Sequence, residues 1–249
     1  MSRLFIYRDL NINDQIVVSG EDVHHIIRVL RHRPGDVIRI SDGRNTESIG
    51  VILDVDARRL EIKLKIVEKN KHNEIKPFIT LLQSLPKGDK FDWILQKNTE
   101  IGVSKFIPIV TQRTVVNVAQ SKLTRRRERW KRIVQEAAKQ CMRMDVPEVG
   151  QVLTLDSGLQ EIKNHELTVI PWEQENKTTL KKIMKDIDKN ISRIAVFIGP
   201  EGGFSIDEIE RAKAAGAVSI SLGSRILRTE TAAVVTCGII MYELGDMGG

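Results

Sequence analysis

From Pro77 onward the sequence alternates short apolar runs with amphipathic stretches, and this rhythm restricts the fold more than any other feature of the chain. Phe78–Leu85, Phe106–Val110, Leu167–Pro171, Ile194–Gly199 and Val218–Leu222 read as strands. Lys90–Ile101, Thr124–Met142, Leu180–Ile187, Ile206–Ala215 and Thr231–Leu244 follow them with apolar residues at helical spacing. Such a repeat predicts an α/β fold with a mostly parallel sheet covered on both faces, because parallel neighbours are reached only by a crossover. Val196-Phe197-Ile198 has no polar alternation, as a central strand requires.

The preceding region has a different rhythm. Val37–Ser41, Ser48–Asp54 and Leu60–Val67 read as strands, with Leu60, Ile62, Leu64 and Ile66 alternating with Glu61, Lys63 and Lys65. Gly35-Asp36 and Asp42-Gly43 are turn signals. One helix is expected over Asp22–Arg31, giving a small β-barrel with one helix. The polar run Asn70–Glu74 reads as a linker, so the expected domains are 1–73 and 74–249.

Composition narrows the class without deciding it. A net charge of +6 and a pI near 9.3 suit a polyanion partner, and equally a plain soluble surface. The two cysteines, Cys141 and Cys237, lack metal spacing, and no histidine falls in a zinc pattern, so no metal is expected. MSRLFIYRDL carries Arg3 and Arg8 and no apolar signal run, and nothing approaches the ~18–20 apolar residues of a membrane span. A cytoplasmic protein without membrane association is the expectation.

In parallel sheets, ligands bind beyond the carboxyl ends of strands. One such loop is Gly199-Pro200-Glu201-Gly202-Gly203-Phe204-Ser205, whose glycines permit close backbone approach. Ser205 and Glu208 form a capping-box pattern for the next helix. No Gly-Lys-Ser/Thr follows, and Glu201, Asp207 and Glu208 would repel a phosphate at that helix N-terminus, so a ligand without phosphate is favoured. A second loop, Leu222 to Ala233, brings Arg225 and Arg228 beside a helix start, where cations are unfavourable unless something anionic meets them. Thr229 reads as an N-cap there. Trp172, past the Leu167–Pro171 strand, can stack on a base or fill the rim of a core.

Thr124 to Arg132 holds five arginines in eight residues, Arg125 to Arg132, while Trp130, Ile133, Val134, Ala137 and Cys141 share one stripe. The arginines then occupy the wet face, a surface suited to phosphates. His24-His25 and Arg28 to Arg31 form a second basic helix face, where Arg28 and Arg31 are one turn apart.

Taken together, these strings resemble the RsmE family of SPOUT-superfamily methyltransferases over nearly the whole chain. The resemblance rests on His24-His25 with Arg28-Val29-Leu30-Arg31, on Gln83 to Gly88, on Gln96 to Val103 and on Glu136 to Arg143. Its most specific parts are Ile198 to Ser205 and Leu222 to Ala232, in that order. It implies a PUA-like barrel that grips RNA and a SPOUT domain with a C-terminal trefoil knot. It also implies a homodimer and methylation of uridine N3 in 16S ribosomal RNA of the small subunit. S-adenosyl-L-methionine would be held by Pro171 and Trp172, by Gly199, Pro200, Glu201, Gly202 and Gly203, and by Leu222, Gly223, Arg225, Ile226, Leu227 and Thr231. RNA contacts would come from Arg3, Arg8, His25, Arg28 and Arg31, and from Lys87, Arg125, Arg126 and Arg143.

Uracil N3 is a poor nucleophile until its proton leaves. Arg228 is the candidate to stabilise the resulting anion, and Glu201 or Glu230 to accept the proton. Three other readings compete. A dinucleotide enzyme would need a glycine fingerprint where Gln83-Ser84-Leu85-Pro86-Lys87-Gly88 stands. A non-catalytic RNA-binding protein would bind RNA and no cofactor. A SPOUT relative acting on ribose 2′-hydroxyls or tRNA, the runner-up, would share the knot loops but not the His24–Arg31 region.

Overall fold

The structure is a computed structural model and describes residues 3–71, 77–115, 120–245 and 247. Two compact units emerge: Met1–Glu74 with Ala138–Val146, and Ile75–Ala137 with Pro147–Gly249. Ala138–Val146 joins the first unit through specific bonds. Ser41 Oγ donates to the Met144 carbonyl, the Val146 N–H donates to Gly43 at 3.1 Å, and Gly43 and Asp145 form a parallel bridge.

The first unit contains β1 (Arg3–Phe5), β2 (Gln15–Ser19), α1 (Glu21–His24), β3 (Val37–Ser41), β4 (Thr46–Asp56) and β5 (Glu61–Lys71). They pair in the order β1-β3-β4-β5-β2, antiparallel except for β1 with β3. Among the described residues they form one five-stranded sheet in which no pairing joins β1 to β2. Ile62, Leu64 and Ile66 point inward with Ile38, Ile40 and Ile52, the period-2 pattern read above. β5 runs beyond the expected strand, and Asn70 and Lys71 pair with Glu47 and Thr46 rather than forming a linker. His72 to Glu74 lie outside the described residues.

The helix expected over Asp22–Arg31 is also altered. After α1 the chain widens into a π-turn over His25–Val29, closed by the Leu30 N–H donating to the His25 carbonyl at 3.0 Å. Arg31 then takes a left-handed conformation, φ 56°, outside the helix. Arg28 and Arg31 therefore do not stack on one helical face.

The second unit is a parallel sheet. It contains β6 (Phe78–Ser84), α2 (Lys90–Ile101), β7 (Lys105–Val110), α3 (Gln120–Gln140) as far as Ala137, β8 (Glu148–Val149), β9 (Leu153–Thr154) and α4 (Leu155–Glu161). β10 (Leu167–Pro171), α5 (Leu180–Asp186), β11 (Arg193–Ile198), α6 (Ile206–Ala214), β12 (Val218–Ile220) and α7 (Thr229–Leu244) complete it. The order is β12-β10-β11-β6-β7-β8, with β9 also on β7, and every pair is parallel. Every residue of β11 from Ile194 to Ile198 is buried, so both faces of the sheet are covered. Leu82, Ile109, Ile170 and Phe197 pack with Leu159 of α4 and Ile209 of α6. α7 packs on α2, α5, β6 and β11.

Because the strands are parallel, the loops after β6, β10, β11 and β12 leave one edge of the sheet. Among the described residues no helix is long and apolar enough to cross a membrane, and no cluster of metal-ligating side chains occurs.

Candidate active site

At that edge lies a cavity of about 720 Å³, bounded by the loops after β10, β11 and β12, by Lys90 at the start of α2, and by the first turn of α7. Its volume is of the size that encloses a nucleoside-sized ligand.

The β11 loop is held from both sides. Gly203 has φ 66°, a conformation that favours glycine, and a Cβ on Gly199 would lie 3.2 Å from the Phe204 ring, a tight approach that the ring would have to yield to. Ser205 and Glu208 form the full capping box of α6. Glu208 also accepts from the Gln112 N–H at 2.7 Å, and Arg113 Nη1 donates to the Gly202 carbonyl at 2.7 Å. The α6 N-terminus thus has its own buried carboxylate and does not serve as a phosphate site.

The β12 loop forms the opposite wall. Gly223 has φ 113°, and Leu222, Gly223, Arg225, Ile226, Leu227 and Arg228 all line the cavity. Arg228, not Thr229, occupies the N-cap position of α7, and it supplies no side-chain cap. Thr229 is the first helical residue and is buried. Its Oγ1 donates to the Gly199 carbonyl at 2.6 Å and accepts from Gln83 Nε2 at 2.9 Å. Its hydroxyl joins the ends of β6 and β11 instead of capping a helix.

The β10 loop supplies the third wall. Pro171 and Trp172 line it, and the Trp172 ring also packs against the sheet core, with Lys213 Nζ 5.6 Å from its centroid. Trp172 is thus both a core-rim and a cavity residue. Glu175 accepts from Ser219 Oγ at 2.5 Å and from the Lys177 and Thr178 N–H groups. The Ser219 bond and these two hold its carboxyl at about 2.

One charged cluster stands on the cavity wall. Lys90 Nζ donates to Glu201 Oε1 at 2.8 Å and lies 3.9 Å from Glu230 Oε2. The Lys87 N–H donates to the same Glu201 oxygen at 3.1 Å. Burial pushes the Glu201 carboxyl up, but hydrogen bonds from Lys90 and from backbone N–H groups outweigh it and hold it below the ordinary value. Glu230 Oε2 is buried and has no hydrogen-bond partner.

Of the residues expected to bind a cofactor, Gly202 and Thr231 do not line the cavity; the rest do. Of those expected to do chemistry, Arg228 and Glu201 line it, and Glu230 does not, standing 3.9 Å from Lys90. The sequence reading did not name Lys90, Glu173, Glu175 or Asn176 as site residues; Glu173, Glu175 and Asn176 follow β10, where ligands sit beyond strand ends, and Lys90 opens α2.

The expected RNA-contacting residues divide. Arg8, His25, Arg28, Arg31, Lys87, Arg125 and Arg126 are exposed. Arg3 and Arg143 are turned inward. Arg3 is 5% exposed, pairs with Glu47 and donates to the Met142 carbonyl. Arg143 is 8% exposed and pairs with Asp145 at 2.6 Å. A cation spent on an internal pair is not offered to phosphate, so both arginines are structural in this fold. On α3, Arg129 pairs with Asp92 and Arg127 Nε donates to Val149, which leaves Arg125, Arg126 and Arg132 on the wet face.

The sequence profile of the RNA methyltransferase domain matches residues 73–241, and that of the RNA methyltransferase PUA domain matches residues 18–65. The chain belongs to the RNA methyltransferase family. This methyltransferase is 36% identical to ribosomal RNA small subunit methyltransferase E of Bacillus subtilis, over 91% of its own length and 89% of that protein. Its identity to the Synechocystis protein of the same name is 32%, over 94% and 75%. The fold of the methyltransferase matches the Neisseria gonorrhoeae ribosomal RNA small subunit methyltransferase E, solved bound to S-adenosyl methionine, with a TM-score of 0.88 and 28% identity over 99% of both chains. A Legionella pneumophila methyltransferase, solved with bound S-adenosyl methionine, matches with a TM-score of 0.86 and 30% identity over 98% of both chains.

Proposed function

We propose that this RNA methyltransferase transfers a methyl group from S-adenosyl-L-methionine to N3 of a uridine in 16S ribosomal RNA of the small subunit. The observation that carries the reading is the cavity itself: three loops from parallel strand ends enclose it, and the α6 N-terminus that ends the β11 loop is closed to phosphate by Glu208. The lining fits a methyl donor that has an amino acid end, an adenosine end and no phosphate. Ile198, Phe204, Leu222 and Leu227 provide an apolar wall, and Glu173, Glu175 and Glu201 provide negative charge toward a cationic group. Bound there, S-adenosylmethionine supplies an electrophilic methyl on a positively charged sulfur.

The residues of this chain have separate tasks in the proposal. The backbone of Leu222 to Leu227 and of Gly199 to Gly203, with Pro171 and Trp172, holds the donor. Arg228 stabilises negative charge on the uracil, and a carboxylate of the Lys90 cluster accepts its proton. N3 lies on the pairing edge, so the target base must be unpaired or flipped out. Residues 1–73, as a PUA-like barrel, and Arg125 and Arg126 on α3 meet the RNA backbone.

The finer architecture belongs to the same proposal. The segment after β12 forms a trefoil knot; the return of α7 from the edge strand β12 to pack on β6, β11 and α2 supports this. Two copies form a homodimer. The support is the stripe Val235, Gly238, Ile239 and Tyr242 on α7, where Tyr242 is 65% exposed and a Cβ on Gly238 would meet nothing within 4 Å. The site of action is the cytoplasm, where ribosomal subunits are made, with no membrane or metal required.

The test is methyl transfer from labelled S-adenosylmethionine to small subunits and to naked RNA from a strain lacking the enzyme, with nucleoside analysis. 3-Methyluridine is the expected product. A 2′-O-methyl nucleoside would overturn the base assignment, and absence of donor binding would overturn the reading altogether.

A further inference from the structure

Just past β1, Tyr7 is 62% exposed, yet its ring has a fixed seat. It lies nearly parallel to the ring of buried Phe5, with centroids 6.2 Å apart and the planes 11° from parallel. The Tyr7 ring also fills the place where a side chain on Gly43 would stand: a Cβ there would be 2.4 Å from Tyr7 Cε1. Gly43 has φ 77°, so both its conformation and its missing side chain fit the ring's position. The turn that carries Gly43 is tied down. Asp42 Oδ1 accepts from the Arg44 and Thr46 N–H groups at 2.8 and 3.1 Å, and the Gly43 N–H donates to Ser41 Oγ at 3.1 Å. The Gly43 carbonyl accepts from the Val146 N–H at 3.1 Å.

A lone exposed aromatic is ordinary on a protein surface. This one differs in its seat and in its neighbours. Arg8 follows Tyr7 in the chain and Arg44 follows Gly43; both are exposed, and neither enters an ion pair among the described residues. The acids beside them are already engaged, Asp42 by the two N–H groups of its turn and Asp9 by Lys69 at 2.6 Å. An open, fixed ring beside two such guanidinium groups suits a ligand with a flat uncharged face and anionic links next to it. An unpaired nucleotide within a strand has that chemistry. A base inside a duplex does not, because its faces are covered by its neighbours.

We propose that Tyr7 is a stacking site for one unpaired base of the RNA substrate, with Arg8 and Arg44 meeting the adjoining phosphates. This rests on the reading of RNA as the substrate and adds recognition of single-stranded RNA at a stated residue. The ring loses little freedom on binding, because Phe5 and Gly43 already hold it. Stacking tolerates any base, so the site selects an unpaired strand rather than a sequence.

The test uses the full chain and compares wild type with Tyr7→Phe, Tyr7→Leu, Arg8→Gln and Arg44→Gln. The ligands are naked 16S ribosomal RNA, small subunits, and a short single-stranded oligouridylate carrying one 2-aminopurine, whose fluorescence is quenched by stacking. Wild type and Tyr7→Phe should quench the probe, and Tyr7→Leu should not. Tyr7→Leu should bind 16S RNA about fivefold to hundredfold more weakly with an unchanged salt dependence, and should raise KM for RNA with kcat within about threefold. Each arginine variant should lower the slope of log affinity against log salt by about 0.7. If Tyr7→Leu does not fold, Tyr7→Ser is read in the same way. Equal quenching by wild type and the Leu variant, no quenching by wild type, or wild-type salt slopes in both arginine variants overturns the proposal. So does a duplex oligonucleotide that competes as well as the single strand. A loss of affinity confined to assembled subunits also overturns it, because the ring would then meet a protein of the subunit. A wild type that methylates 16S RNA no better than Tyr7→Leu at limiting RNA removes this site alone; a wild type that methylates no RNA removes the reading of the substrate as well.

Discussion

The Thr229 hydroxyl donates to the Gly199 carbonyl at 2.6 Å, so the first residue of α7 is fastened to the end of a strand thirty positions earlier. The same oxygen accepts from buried Gln83, which ties β6 to the pair. Thr229→Val keeps the shape and removes the hydroxyl, leaving Gln83 Nε2 with the Ser84 carbonyl alone and taking this donor from the Gly199 carbonyl. We expect a loss of about 1–3 kcal/mol in unfolding free energy and weaker donor binding, both restored by Thr229→Ser. Urea denaturation and calorimetry read the two effects, and a Val variant as stable and as tight-binding as wild type would show the bridge to be incidental.

Arg228 lines the cavity and is exposed, with no role in capping α7. If it acts on the charged uracil, Arg228→Ala should reduce kcat by about a hundredfold or more, with donor affinity nearly unchanged. Equal losses in rate and donor affinity would assign the residue to donor binding instead.

On α7, Ile239 and Tyr242 occupy the face left unpartnered in the single chain. Placing a charge there by Ile239→Glu should convert the proposed dimer to monomer in analytical ultracentrifugation, because an unpaired carboxylate would be buried at its centre. A wild-type chain that sediments as a monomer at micromolar concentration would remove the dimer from the proposal.

His165 provides a prediction about pH. Its Nε2 bonds the Thr80 hydroxyl at 2.8 Å, and its Nδ1 is buried without a partner. Burial first, then the Arg193 and Lys105 charges, hold its pKa below the ordinary histidine value. The unfolded chain therefore binds the proton more readily, so this contribution to stability is complete above about pH 6.5 and declines as pH falls through that value toward the folded pKa. His165→Gln should flatten the decline in urea midpoint between pH 7.5 and 5.5. Parallel curves for the two proteins would mean that other groups dominate.

The parts of this molecule written in long periodic segments were legible in advance. α2 and β10 have the bounds that the spacing gives, because Lys90–Ile101 and Leu167–Pro171 end at Gly102 and at a proline. β1 and β2 were not legible: one has three residues, the other only five, and both are edge strands fixed by their partners. α4 was missed because Gly158 sits inside it, where the sequence suggests a break. The structure uses that glycine to bring the helix against Leu82, only 3.0 Å from where a Cβ would stand. At the site, the loops were visible from strand ends and glycines, but the loss of Arg3 and Arg143 to Glu47 and Asp145 was not. Local sequence shows that a residue is charged; only the fold shows which charge it meets.

The pairing of β6 with β11 bears on how the chain is made. Phe78 finds Arg193, and Ile198 finds Gln83, with more than a hundred residues between partners. At about 5–20 residues per second, the nascent chain carries Ile79, Leu81 and Leu82 without their main neighbour for roughly ten seconds. Chaperone demand should therefore be concentrated in that interval, and chains terminated before Arg193 should aggregate rather than persist as a folded half.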